Sequence, residues 1–169
     1  MELSRSIELL RVHADAIRAL VTGTSSEQAR WKPDAESWSI LEVVNHLCDE
    51  EREDFRLRLD LCLNHPGEAW PPIDPRGWVL RREYNKRGLE QSLQDFLAER
   101  QKSLEWLGTL GEPDWTAVRS APFGEIRTGD MLAAWVGHDL LHLRQLVELH
   151  RAHTLREVSP FDVSYAGEW

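Results

Sequence analysis

"SWSILEVVNHL", residues Ser37–Leu47, marks where a helix begins and places a histidine inside it. Ser39 is followed three residues later by Glu42. At that spacing the serine hydroxyl caps a free backbone N–H and the glutamate reaches back to the cap residue. The strongly apolar run "ILEVVNHL" follows, and the helix continues through "CDEEREDFRLRLDLCLN" to His65-Pro66. It stops there because proline disfavours helix in the residue before it.

Three further helices surround this one. Leu3, Ile7, Leu10, Ala14, Ile17 and Val21 alternate steps of four and three, an apolar stripe closed by Gly23. "SSEQARWKPDAESW" reads as a connector, with Pro33 discouraging helix at Lys32. A third helix over Gly88–Leu107 carries Leu89, Leu93, Phe96, Leu97, Leu104 and Leu107, and Gly108 and Gly111 end it. A fourth runs from about Asp130 to His150 or beyond. The second and third are joined by a long loop rich in proline and tryptophan, "HPGEAWPPIDPRGW". Between the third and fourth, "WTAVRSAPFGEIRTGD" is irregular, with room for a turn or hairpin at Pro122–Gly124. The tail "PFDVSYAGEW" has no helical pattern. Four amphipathic helices with little strand signal predict an all-α four-helix bundle, one domain over 1–169, with long loops between helices 2–3 and 3–4.

Bulk composition narrows the function. A chain of 169 residues, 41% hydrophobic and 29% charged, can bury a core unaided. Its net charge of −9 argues against a nucleic-acid backbone or an anionic membrane surface as partner. "RREYNKRG" (Arg81–Gly88) is locally basic and reads as a solvated connector, with an anion-binding patch as the alternative. No apolar run approaches a membrane span, and "MELSRSIELL" lacks the apolar core of an export signal. Cys48 and Cys62, fourteen residues apart on one helix, lie about 21 Å apart and cannot bridge. A reduced, cytoplasmic protein is the expectation.

Of seven histidines, His13 reads as a core-boundary residue, His65 as part of the helix stop, and His150 and His153 as residues of the last helical turns. His138 and His142 in "GHDLLHLRQL" are different. Four residues apart, they leave one helix face about 5–6 Å from each other, a geometry a divalent ion can bridge. Asp139 follows His138 where a zinc protease would need glutamate, so that reading fails. His46, in the middle of the apolar run of the second helix, is the candidate third ligand, since bundle sites are built from facing helices. Hydrogen-bonded core histidines are the alternative.

"SWSILEVVNHL" followed by "TGDMLAAWVGHDLLHLRQL" resembles the DinB-like family over nearly the whole chain, on His46, His138, Asp139, His142 and Gln145, with "REYNKRG" and the "PFG" turn as further matching features. The resemblance implies a four-helix bundle, often a homodimer. It also implies a divalent ion, commonly zinc or nickel, on His46, His138 and His142. Family members include transferases that use low-molecular-weight thiols and a thiol-dependent maleylpyruvate isomerase.

Three histidines leave a coordination position open, the layout of a catalytic site. The expected activity is a metal-dependent transferase joining a small thiol to an electrophilic small molecule. The alternatives are a metal-dependent hydrolase and a non-catalytic metal- or ligand-binding bundle of a stress response. Gln145, on the face of His138, is a candidate to bind substrate or water. Glu50, one turn past His46, is a candidate base or extra ligand, although "CDEERED" reads as a solvated acidic face. Asp139 points about 100° from its histidine neighbour and is expected to orient another group or cap a packing contact. Trp38, Trp70, Trp78 and Trp135 are candidates for core or pocket wall, and Arg81, Arg82 and Arg144 for an arginine near the metal.

Overall fold

The structure is a computed structural model and describes residues 2–169. Its helices are α1 (Leu3–Val21), α2 (Ser26–Arg30), α3 (Ile40–Asp49), α4 (Arg56–Asn64), α5 (Pro75–Arg81), α6 (Leu89–Thr109) and α7 (Thr128–Val158). A π-helical segment, Glu50–Phe55, joins α3 to α4 without a break. The rod α3–π–α4, together with α1, α6 and α7, makes the four-helix bundle that the apolar stripes predict. Among the described residues no helix is long and apolar enough to cross a membrane.

The capping box forms as its spacing dictates. Ser39 Oγ accepts from the Glu42 N–H at 3.2 Å, and Glu42 Oε2 accepts from the Ser39 N–H at 2.8 Å. Between α6 and α7 the chain makes a hairpin, β1 (Val118–Ala121) against antiparallel β2 (Gly124–Arg127), turning at Pro122-Phe123. Gly124 there has φ +124°, a conformation open to glycine and strained for other residues.

Several connecting segments are more ordered than their composition suggests. "SSEQARW" contains the single-turn α2, capped by Ser25. The proline- and tryptophan-rich loop contains α5, with Pro75 in its first turn and Asp74 accepting from the Gly77 N–H. "RREYNKRG" is anchored rather than solvated. Tyr84 is fully buried and donates to Asp49, Arg82 pairs with Asp49 and Glu53, and Arg87 donates to Asn45. Buried Asp49 and Asn45 and half-buried Glu53, all on the second rod, supply the partners that local composition does not reveal. A short 3₁₀ turn, Ser164–Ala166, lies in the tail.

Two apolar clusters fill the bundle. One gathers Ile17 and Val21 of α1, Val43, Val44 and Leu47 of α3, Phe96 of α6, and Leu146 and Leu149 of α7. The other gathers Leu10 of α1, Phe55 and Leu59 of the second rod, Leu104 and Leu107 of α6, and Leu132 and Trp135 of α7. Along every one of the four long elements, buried polar residues separate the two stretches: His13; Asp49, Glu50, Glu51 and Asp54; Arg100; and Asp139 and His142. A buried polar layer therefore crosses the middle of the bundle.

Candidate metal centre

His46 on α3 and His138 and His142 on α7 meet in that layer. His138 Nε2 lies 3.3 Å from His46 Nε2 and 3.1 Å from His142 Nε2. One ligand nitrogen from each of the three falls within 4.8 Å of the others. Three imidazoles holding an ion tetrahedrally at about 2.0–2.1 Å place neighbouring nitrogens about 3.3 Å apart. The observed separations fit that arrangement.

Protonation favours ligation too. Burial first, then repulsion from the neighbouring rings, holds His46 down to about 2. Burial and His142 hold His138 down to about 3, and burial lowers His142 as well. The rings are therefore neutral across the physiological range, the form that binds a metal. Gln145 Oε1 lies 2.8 Å from His142 Nδ1. Accepting a proton there leaves His142 Nε2 with its lone pair directed at the cluster. Gln145, expected at substrate or water, is thus a partner of a candidate ligand.

The DinB superfamily model matches residues 9–146, spanning α1 to the middle of α7 and including all three histidines. The chain belongs to the DinB superfamily. Among solved structures, YfiT from Bacillus subtilis superimposes with a TM-score of 0.79 at 20% identity, covering 90% of this chain and 88% of that one. YfiT is described as a probable metal-dependent hydrolase with an unusual four-helix bundle topology. At this identity the likeness establishes the shared fold. No curated protein matches the sequence significantly.

In this DinB superfamily member the acidic run beside His46 is not a solvated face. Asp49, Glu50, Glu51 and Asp54 are all buried, and the reason is the π-helical segment. Val43, Leu47, Glu51, Phe55 and Leu59 are buried at successive steps of four. Four such steps in a regular α-helix would precess about 160° around the axis. The wider i→i+5 turn takes up an extra residue and keeps the row facing inward.

Glu50 lies outside the histidine cluster, with Oε1 3.7 Å from His46 Nδ1. Burial and the adjacent Asp54 push its carboxyl up to about 9. Glu51 and Asp139 clamp Arg100 of α6, which donates to Glu51 Oε1 at 2.6 and 2.9 Å and to the two Asp139 oxygens at 2.8 Å each. Trp135 Nε1 donates to the same Glu51 oxygen at 2.8 Å. His13 Nδ1 approaches Asp139 to 3.4 Å. Asp139 thus orients Arg100, while His13 is buried in the layer instead of at a core boundary. α7 continues to Val158, so His150 and His153 lie inside it; His153 is buried edge-on against Trp31.

A cavity of about 910 Å³ reaches the centre at His142 and Gln145, walled by Trp38, Val79 and Leu149, with Lys32, Glu36, Arg76 and Glu148 also lining it. Trp38 stacks parallel to His142, centroids 6.3 Å apart, and lies 4.8 Å from the His46 ring. Trp135 and Trp78 pack in apolar clusters, and Trp70 packs against the cluster that holds Trp135. The arginines singled out from sequence are engaged elsewhere: Arg81 with Asp74, Arg82 with Asp49 and Glu53, Arg144 with Glu148. Arg76, which sequence reading passed over, lines the cavity instead. Lying outside the apolar stripes, it left no periodicity signal.

The depressed histidines make the metal-free protein acid-sensitive. Unfolded imidazoles take up protons below about 6.5, whereas folded His46 and His138 resist until about 2 and 3. The unfolded state then binds more protons, so stability falls with pH from about 6.5 downward, by about 1.4 kcal/mol per pH unit for each group. Glu50 opposes this, because its raised value favours folding most below 4.5 and is lost toward 9. Asp54, raised by burial as well, opposes it in the same way, so three lowered imidazoles stand against two raised carboxyls and prevail by number. The urea midpoint of metal-free protein is expected to be clearly lower at about pH 5 than at about pH 7. Equal midpoints would contradict the burial of neutral rings.

Proposed function

We propose that this chain is a metal-dependent transferase that joins a low-molecular-weight thiol to an electrophilic small molecule, with His46, His138 and His142 as the metal ligands. The observation that carries the reading is the convergence of three imidazoles, two buried and His138 half-buried, with His142 also lining a cavity of about 910 Å³. The cavity lies within the size range of small-molecule sites and has room for two small reactants. A divalent ion held there would supply Lewis acidity, lowering the pKa of a thiol or water at the position the histidines leave open. Zinc or nickel suits three imidazoles.

The chain's own residues do the rest. Gln145 fixes the His142 ring by accepting its Nδ1 proton. Trp38 forms an apolar wall beside His46 and His142 and excludes water there. Arg76 offers positive charge to an anionic substituent and Glu36 negative charge to an amine, while Lys32 and Glu148 line the cavity paired with Glu42 and Arg144. Such mixed charge suits a zwitterionic thiol.

A hydrolase is the second reading, favoured by the description of YfiT, which shares the fold. The two separate in one experiment. Zinc- and nickel-loaded protein is offered a panel of small thiols with monochlorobimane, and separately a panel of activated esters, amides and phosphoesters. Metal-dependent conjugation that rises with thiol supports the transferase. Metal-dependent cleavage without thiol replaces it with the hydrolase. Metal binding with neither activity leaves a binding protein.

A further inference from the structure

We propose that Glu50 is the positioning residue for His46, accepting the Nδ1 proton so that Nε2 faces the ion, as Gln145 does for His142. This rests on the metal centre proposed above. Three observations carry it. His46 Nδ1 and Glu50 Oε1 are both buried, lie 3.7 Å apart, and have no hydrogen-bond partner among the described residues. Two orphaned buried polar atoms facing each other are costly unless they pair in the working state. Closing the gap to a normal hydrogen bond takes about 0.8 Å, within reach of a small ring rotation.

The second observation is the backbone. His46, Glu50, Asp54 and Arg58 lie at successive steps of four, and the π-helical turn holds the middle two inward. The same irregularity that keeps the apolar row inward thus also keeps Glu50 inward at the level of His46, in keeping with the frequent placing of π turns at functional sites. The third is what lies behind. Arg58 Nε is 2.8 Å from Asp54, and its guanidinium lies over Trp70 at 4.9 Å. Asp54 in turn lies close enough to Glu50 to help raise its carboxyl. The Glu50 carboxyl is thereby held from behind while its free oxygen points to His46.

Glu50 does not belong to the cluster of ligand atoms, so a ligand and a positioning residue are distinguishable. The test is zinc affinity, by competition with a chromophoric chelator, of wild type, Glu50→Gln and Glu50→Ala, each checked for folding by circular dichroism. The carboxamide of Gln keeps an acceptor oxygen, whereas Ala removes it. Ala is expected to weaken zinc roughly 10- to 100-fold, and Gln to stay within a few fold of wild type. An unchanged Ala variant overturns the positioning role while leaving the centre intact. Equal loss in both variants overturns it in favour of direct ligation. A wild type that binds no zinc overturns the centre and the inference together. Should Ala not fold, the His46 Nδ1–H signal of the zinc-loaded protein decides. A slowly exchanging proton in wild type and Gln supports the proposal, and a rapidly exchanging one in wild type refutes it.

Discussion

His46→Ala and His142→Ala are each expected to lose nearly all bound metal, from close to one equivalent in the wild type. Structural zinc sites with four protein ligands bind with about 10–16 kcal/mol. Each ligand is thus worth about 3 kcal/mol, on the order of a hundredfold in affinity. The two variants leave different pairs, His138 with His142 and His46 with His138, so parallel losses would show that the ion needs both His46 and His142. Thermal unfolding gives an independent reading. An ion at about a thousand times its Kd stabilises the folded state by about 4 kcal/mol. In a chain of this size that raises Tm by roughly 8–16 °C. The shift on adding metal is expected in wild type and absent in both variants. Because each protein is compared with itself, differences in metal-free stability cancel. Retention of metal by either variant would refute the triad.

What the sequence disclosed and concealed follows from how each residue earns its position. Ser39 and Glu42 signal a helix start because capping is local, satisfied within four residues. The apolar stripes of α1, α6 and α7 are legible for the same reason, since burial repeats along one element. His138 and His142 announce a shared face through spacing alone, and His46 stands out as polar in an apolar run. Glu51 and Arg100 were not legible. Each looks like an ordinary charged residue on a polar face, and only their meeting across helices explains their burial. The π-helical turn did leave a trace. Buried positions at four consecutive steps of four, where an α-helical stripe alternates threes and fours, betray an extra residue per turn. With Glu51 itself one of those positions, the acidic run hid the pattern.

Arg100→Met is expected to destabilise the protein by about 3–5 kcal/mol, lowering Tm by roughly 6–20 °C. Arg100 is only 1% exposed, and it is the counter-charge for both Glu51 and Asp139, themselves 2% and 1% exposed. Removing it leaves two carboxylates buried without a cation, and also strips the Leu10 carbonyl of the donor it meets at 2.6 Å. Replacing the whole group is expected to behave differently. A variant carrying Arg100→Met, Glu51→Gln and Asp139→Asn buries no unpaired charge, and the amide oxygen introduced by Glu51→Gln still accepts from Trp135. It should recover most of the lost stability, because a buried ion cluster contributes little net once desolvation is counted. Metal affinity should not recover in step. Glu51 adjoins Glu50 on one rod and Asp139 adjoins His138 on another, so the clamp on Arg100 fixes the relative level of the two elements that carry the candidate ligands. Urea unfolding and zinc competition on the single and triple variants separate the two roles. An Arg100→Met protein within about 1 kcal/mol of wild type would refute the clamp. Full recovery of zinc affinity with stability in the triple variant would show that apolar packing alone sets the register of the ligands.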